Sequence, residues 1–103
     1  MRGVFDCIVM GEVLEHVENP KEMLQKIRSL LNVNGVSFIS TVINAPAIDH
    51  IYLFPSIESV LDMVRECSFS VEEYLCTTEN DVPLEKAIRQ KRSINIFMKL
   101  LPV

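Results

Sequence analysis

Two carboxylates and an imidazole stand close together near the start of the chain. Glu12, Glu15 and His16 are spaced so that, in a helical turn, their side chains share one face. An apolar run over residues 5–10 precedes them and has about the length of one buried strand. Gly11 ends that run, so the three side chains follow the carboxyl end of a strand, where open α/β sheets bind ligands. The pattern predicts a functional site at this turn.

The same residues also have plainer interpretations. Glu12, Glu15 and His16 could form only the polar face of a short helix, with the imidazole bonded to a backbone carbonyl. His16 can alternatively serve as a general base, because histidine titrates near neutral pH. His50, which lies in an apolar loop farther along the chain, has the same option, and its functional interpretation depends on the first group.

The composition limits the classes of function. The chain has 103 residues, enough for one small domain, and 49% of them are hydrophobic. So large an apolar share suggests that some of these side chains pack against further polypeptide. The net charge of −4 argues against nucleic-acid binding, and the basic cluster over residues 86–92 is interpreted as a solvated surface.

Cysteine use and the length of the apolar runs predict the compartment. Cys7, Cys67 and Cys76 show no metal-binding spacing, and their odd number suits reduced thiols. No signal-peptide pattern follows Met1, and no apolar run reaches the roughly 20 residues needed to cross a bilayer. We expect a cytoplasmic protein with no membrane partner.

The hydrophobic periodicity of the first half predicts a strand, a helix and a second strand. The first strand, residues 4–10, is apolar on both faces, which is typical of a central parallel strand covered by helices. A helix beginning at Pro20 is expected to end at the pair Asn34 and Gly35, which tolerate positive φ. The second strand follows at residues 36–43.

The second half continues the alternation. Ser56 is predicted to cap a helix. Phe69, Val71 and Leu75 alternate with polar neighbours and are expected to share one face of a strand. The last two strands lack a full crossover helix between them and are expected to pair antiparallel. The predicted elements are a loop over residues 44–55, a helix over 57–67, strands over 69–77 and 93–101, and a short helix after Pro83.

Over about residues 5–100, the chain resembles the carboxyl half of the class I S-adenosylmethionine-dependent methyltransferases. The resemblance rests on FDCIVMGEVLEHVENP, followed by a helix and then by LLNVNGVSFIST. In that family an E-x-L-E-H type turn follows a strand, and a hairpin with an antiparallel last strand closes the sheet. The implied fold is α/β: the second half of a Rossmann-like methyltransferase sheet, mostly parallel with an antiparallel C-terminal strand.

The activity that the resemblance implies is methyl transfer from S-adenosylmethionine to a small-molecule acceptor, with oxygen as the expected target. The family's glycine-rich cofactor loop has no counterpart, because Gly3, Gly11 and Gly35 form none. The resemblance therefore implies a single partial methyltransferase domain, residues 1–103, without the cofactor-binding half. Of the family's cofactor contacts, those at Met10 and Gly11 carry over.

A subset of the family, similar to the ubiquinone-pathway O-methyltransferases and the small-RNA 2′-O-methyltransferases, binds a divalent metal through an E-x-x-E-H pattern. Carried over, the ligands are Glu12, Glu15, His16 and, from the later loop, His50. Carboxylates suit Mg²⁺, whereas imidazoles favour Mn²⁺ or Zn²⁺. The pattern also occurs in methyltransferases that need no metal, and in that case His16 and His50 are the candidate catalytic bases.

Two other classes of function stay open at this point. The chain could be a non-catalytic truncated module that forms a homo-oligomer or binds a missing N-terminal half, which the lack of a glycine-rich loop favours. It could also be a metal-binding α/β domain that uses no cofactor.

Overall fold

Strands and helices alternate along the chain in the computed structural model, which describes residues 3–45 and 50–103. Two 3₁₀ turns, Leu14–His16 and Glu79–Asp81, lie between the larger elements. Part of the predicted apolar loop, residues 46–49, lies outside the described residues. The larger elements are β1 (Phe5–Gly11), α1 (Pro20–Leu30), β2 (Leu31–Ile43), α2 (Ile57–Glu66), β3 (Phe69–Thr78), α3 (Leu84–Arg89) and β4 (Ile94–Pro102).

The strands form one sheet in the order β1-β2-β4-β3. β1 pairs parallel with β2, and β4 lies antiparallel between β2 and β3. Three of these four strands therefore run in the same direction, and the last strand of the chain is the antiparallel one. This confirms the predicted α/β sheet with an antiparallel C-terminal strand and the predicted pairing of the last two strands.

One face of the sheet and all three helices share a hydrophobic core. Helices α1 and α2 begin where capping chemistry predicts: Asn19 accepts a hydrogen bond from the Glu22 N–H at 3.1 Å, and Ser56 accepts one from the Ser59 N–H at 3.1 Å. Within the described residues, no helix is both long and apolar enough to cross a bilayer. The buried core side chains include Leu24, Ile27, Val60, Val64, Ala87, Ile39, Ile43, Ile94, Ile96, Met98 and Leu100.

The end of α1 differs from the prediction. The helix stops at Leu30, and Leu31 already has extended backbone angles, φ −89° and ψ 133°. Leu31 pairs with Phe5 and is buried, so sheet pairing outweighs the helical periodicity that includes this residue. The predicted terminator pair lies inside β2, and neither Asn34 nor Gly35 has positive φ. Gly35 matters instead for space, because an added Cβ would lie 2.8 Å from Cδ1 of Leu31.

A bulge changes the face on which the side chains of β3 lie. The pairing of β3 with β4 shifts between Val71 and Glu73. Before the shift, Phe69 is buried in the core; after it, Leu75 lies opposite Phe97 and is 64% exposed. The prediction that Phe69, Val71 and Leu75 share one face is therefore wrong, because one extra residue in a strand reverses the alternation beyond it.

The second face of the sheet is not covered by any helix of the described residues. Val9, Phe38, Leu75 and Phe97 lie on paired strands across this face and are 43–73% exposed. We call the surface defined by these four residues the open face. β1 is at an edge of the sheet, with Val9 the most exposed of the four. The prediction of a central strand covered on both sides is therefore wrong for the described part of the chain.

The three cysteines are unpaired and differ in burial. Cys7 is exposed, Cys76 is half-buried and Cys67 is buried, and desolvation raises the pKa of the Cys76 and Cys67 thiols. We expect iodoacetamide at pH 8 to modify Cys7 first and Cys67 at least about 100-fold more slowly, as if the reaction awaited an opening of about 3 kcal/mol.

Mass spectrometry of timed samples measures the three rates. Because a raised pKa lowers the thiolate fraction at pH 8, raising the pH to 9 should increase the rate at Cys76 by a larger factor than the rate at Cys7. Addition of urea above the unfolding midpoint should bring the three rates together. Equal rates at Cys7 and Cys67 in the native protein would contradict the described burial.

Candidate functional site

A tight turn after β1 brings the acidic stretch over the end of the sheet. Glu12 has a left-handed backbone, φ 54°, and its N–H donates to the Ser40 carbonyl at 2.9 Å. The 3₁₀ turn that follows is closed by a hydrogen bond from the His16 N–H to the Val13 carbonyl. Leu14 is fully buried and anchors the turn in the core. The direction of Glu15 and His16 is thus set by the turn and by the core.

Glu15 is a buried carboxylate with a hydroxyl partner. Its side chain is 2% exposed, and Oε1 accepts a hydrogen bond from Thr41 Oγ1 at 2.7 Å. The other oxygen, Oε2, lies 4.0 Å from Nε2 of His16. Thr41 is on β2 and is fully buried, so the carboxylate is held against the sheet. A buried charge is costly without such partners.

The loop before α2 is attached to the same turn through the backbone of Glu15. Its carbonyl accepts hydrogen bonds from the N–H groups of Ile51 and Tyr52, at 2.8 and 3.0 Å. Farther along, Phe54 is 1% exposed and forms a parallel bridge with Ile43 at the end of β2. These contacts hold His50 beside the turn.

The structure brings together three of the four predicted metal ligands. Glu15, His16 and His50 each offer one ligand atom, and these atoms lie within 4.8 Å of one another. The two imidazole rings have centroids 4.9 Å apart and planes at 73°. Nδ1 of His50 lies against the carbonyl of Ala45, which can only accept, so a hydrogen bond between them requires the tautomer with the proton on Nδ1. The set of one carboxylate and two imidazoles fits a divalent transition metal.

The other predicted site residues lie outside this group. Glu12 is exposed and is not among the three clustered side chains. Met10 and Gly11 line a concavity of about 530 Å³ on the open face, together with Phe38 and Phe97. The metal and cofactor roles of these residues stay predictions.

Two aromatic residues lie in the loop beside the site, and one threonine contacts its carboxylate. The rings of Tyr52 and Phe54 are 4.8 Å apart in the loop before α2, and Phe54 belongs to the core. Sequence reasoning missed Thr41, which contacts Glu15 across 26 positions of the chain. The available signal was a hydroxyl between Ile39 and Ile43 at the every-second-residue spacing of the buried face of β2.

A family model and a curated relative both show similarity to methyltransferases. Residues 2–77 match a family model described as "Methyltransferase domain". A curated ubiquinone biosynthesis O-methyltransferase of Glaesserella parasuis is 37% identical over 75 residues, which are 73% of this chain and 31% of that protein. The chain thus spans about a third of the length of this relative.

Solved structures share the fold at low identity. An O-methyltransferase from a trans-AT polyketide synthase multienzyme of Brevibacillus brevis, in complex with S-adenosyl-L-homocysteine, has a TM-score of 0.74 and 16% identity. It covers 100% of this chain and 46% of its own chain. The [4+2]-cyclase SpnF has the same TM-score at 12% identity and covers 99% of this chain and 51% of its own. Because one of these folds serves a cyclase, the fold alone does not identify the reaction.

Proposed function

Because this chain belongs to the methyltransferase-domain family, we propose that it takes part in methyl transfer from S-adenosylmethionine to an oxygen atom of a small-molecule acceptor. The observation that carries the proposal is the group of Glu15, His16 and His50 beyond the carboxyl ends of β1 and β2. The relative named as an O-methyltransferase supports oxygen as the target. The free thiols support a cytoplasmic location, which is part of the same proposal.

Within this proposal, Glu15, His16 and His50 hold a divalent cation. The carboxylate supplies an oxygen ligand and the imidazoles supply nitrogen, a set that favours Mn²⁺ or Zn²⁺ over Mg²⁺. A cation bound there lowers the pKa of an acceptor hydroxyl that contacts it. Glu12, which is exposed and outside the group, is not required as a ligand.

Two roles proposed for this chain require no cation: accepting a proton from the acceptor and holding the acceptor in place. The hydrogen bonds from the loop before α2 to the Glu15 carbonyl keep the imidazoles of His16 and His50 close together. Either imidazole can there accept a proton from the acceptor. Holding the acceptor in line with the methyl group is the larger contribution, because methyl transfer depends strongly on alignment.

Cofactor contact is proposed for Met10 and Gly11 at the end of β1. An added Cβ at Gly11 would lie 3.5 Å from Ser40 Oγ, an ordinary contact, so packing within the chain does not demand glycine there. The chain carries no glycine-rich loop, and we therefore propose that residues 1–103 form the acceptor side of a methyltransferase domain.

The test is a calorimetric titration with S-adenosylhomocysteine in the presence of Mg²⁺ or Mn²⁺. Because the chain carries no glycine-rich loop, we expect an affinity weaker than micromolar for this chain alone, and micromolar affinity would contradict the proposal that residues 1–103 form only the acceptor side. S-adenosylmethionine with a labelled methyl group should label an oxygen of catechol, used as a test acceptor, at a higher rate when the cation is present than when it is absent. Removing both imidazoles, with His16→Ala and His50→Ala, should abolish that labelling, whereas Glu12→Gln should preserve it.

The competing function is a non-catalytic module that dimerises or binds a partner. The open face favours it, because four large apolar side chains there have no cover from the described residues. A folded chain that binds no S-adenosylhomocysteine, but whose mass in ultracentrifugation rises with concentration, would contradict catalysis by this chain and favour the module.

A further inference from the structure

We propose that Thr41 is the positioning residue of the cation site: its hydroxyl fixes the carboxylate of Glu15 so that one oxygen remains directed at the imidazoles. This inference rests on the proposed cation site. The hydrogen bond from Thr41 Oγ1 to Glu15 Oε1 is 2.7 Å long, and both side chains are buried. Solvent therefore does not compete strongly for the bond.

The backbone of Glu15 is already fixed by other contacts. Its carbonyl accepts two hydrogen bonds from the loop, and the 3₁₀ turn around it is closed by the His16 N–H. What remains is rotation of the side chain. Thr41 restricts this rotation, because its hydroxyl donates a hydrogen bond to Oε1 of Glu15. The other oxygen, Oε2, then lies 4.0 Å from Nε2 of His16.

Thr41 is itself held rigidly. It lies on β2, opposite Ile96 of β4, in the middle of the sheet. Threonine has a branched Cβ, which restricts its side-chain rotation. A hydroxyl on such a scaffold can orient a carboxylate better than a residue on a loop, and metal-bound carboxylates are usually oriented by a hydrogen bond of this kind.

Ser37 provides a matched control on the same strand. Among the described residues, the buried polar side chains are Glu15, Ser37 and Thr41. Ser37 donates to the carbonyl of Ile8 at 3.0 Å, so its hydroxyl joins β2 to β1 and contacts no member of the cation group. Loss of either hydroxyl removes one buried hydrogen bond, but only loss at Thr41 releases Glu15.

The experiment is a titration of the chain and its variants with Co²⁺, followed by the visible absorption of the bound ion. We expect Thr41→Val to weaken Co²⁺ binding by about 10- to 100-fold and to change the absorption spectrum, as losses of outer hydrogen-bond partners do. Thr41→Ser keeps the hydroxyl and should restore both. Ser37→Ala should leave affinity and spectrum as in the unchanged chain, even where thermal unfolding shows a similar loss of stability.

Each outcome bears on the proposal. If the unchanged chain binds Co²⁺ and Thr41→Val binds it equally well with the same spectrum, the positioning role is overturned and the cation site stands. If the unchanged chain binds no Co²⁺, the cation site and the positioning role of Thr41 are both overturned. Should valine prevent folding, Thr41→Ala removes the same hydroxyl without placing apolar atoms against the carboxylate, and the same criteria apply.

Discussion

Replacing the buried carboxylate with an amide, Glu15→Gln, should weaken Zn²⁺ binding by at least about 100-fold. Removal of an outer hydrogen-bond partner already costs about 10- to 100-fold, and removal of a ligand should cost no less. Glutamine preserves the size of the side chain and can still accept from Thr41, so the turn should keep its shape. The expected loss is therefore one of coordination and not of folding.

The same substitution should have a small effect on the free energy of unfolding of the metal-free chain. A buried charge carries a desolvation penalty that an amide avoids, and this offsets the weaker hydrogen bond from Thr41. We expect a change of within about 1 kcal/mol. Metal affinity is measured by competition with a chromophoric chelator, and stability by urea unfolding without metal.

Glu12→Gln is the matched control. Glu12 lies three positions before Glu15 and is exposed, so the substitution removes the same charge from a side chain outside the group. It should change Zn²⁺ affinity by a few-fold at most. If both glutamine variants lose affinity equally, Glu12 is a ligand after all, and the group of four predicted from the sequence would replace the group of three. If neither variant loses affinity, the cation binds elsewhere.

Truncating the aromatic side chain that closes the loop, Phe54→Ala, should cost about 3–5 kcal/mol of unfolding free energy. Phe54 is 1% exposed, its carbonyl accepts a hydrogen bond from the Asn44 N–H, and its ring contacts Tyr52. A total stability of about 5–15 kcal/mol is typical, so the variant should lose a large share of it. Because the loop carries His50, metal affinity should fall as well.

Leu53→Ala is the control for this prediction. Leu53 is the neighbouring residue and is 52% exposed, so its truncation should lower the free energy of unfolding by about 0.5 kcal/mol or less. Urea unfolding of both variants, with the slope against denaturant compared, measures the difference. A cost at Phe54 no larger than that at Leu53 would show that the loop is not part of the core in solution.

Most elements of the fold could be predicted because their signals are local. Pro20 and Ser56 mark helix starts through capping, and the alternation of Ile94, Ile96 and Met98 gives the buried face of β4. The clustering of Glu15 with His16 follows likewise from adjacent positions.

The features that sequence reasoning missed depend on distant contacts. Leu31 continues the helical stripe of α1, and only its pairing with Phe5 makes it a strand residue. The bulge in β3 likewise appears only when that strand is paired with β4. Thr41 looks like any β-branched strand residue until the turn lies over it, and Glu12 shares the spacing of Glu15 but not its burial.

The position of β1 has a consequence for the colloidal behaviour of the chain. No described strand pairs with its outer edge, so backbone N–H and C=O groups there can recruit an extended segment from another molecule. Edge strands are usually protected by lysine, proline or inward charges, whereas β1 has only Asp6 among apolar residues. Unless this edge is paired or covered, it is where aggregation of the folded chain would begin.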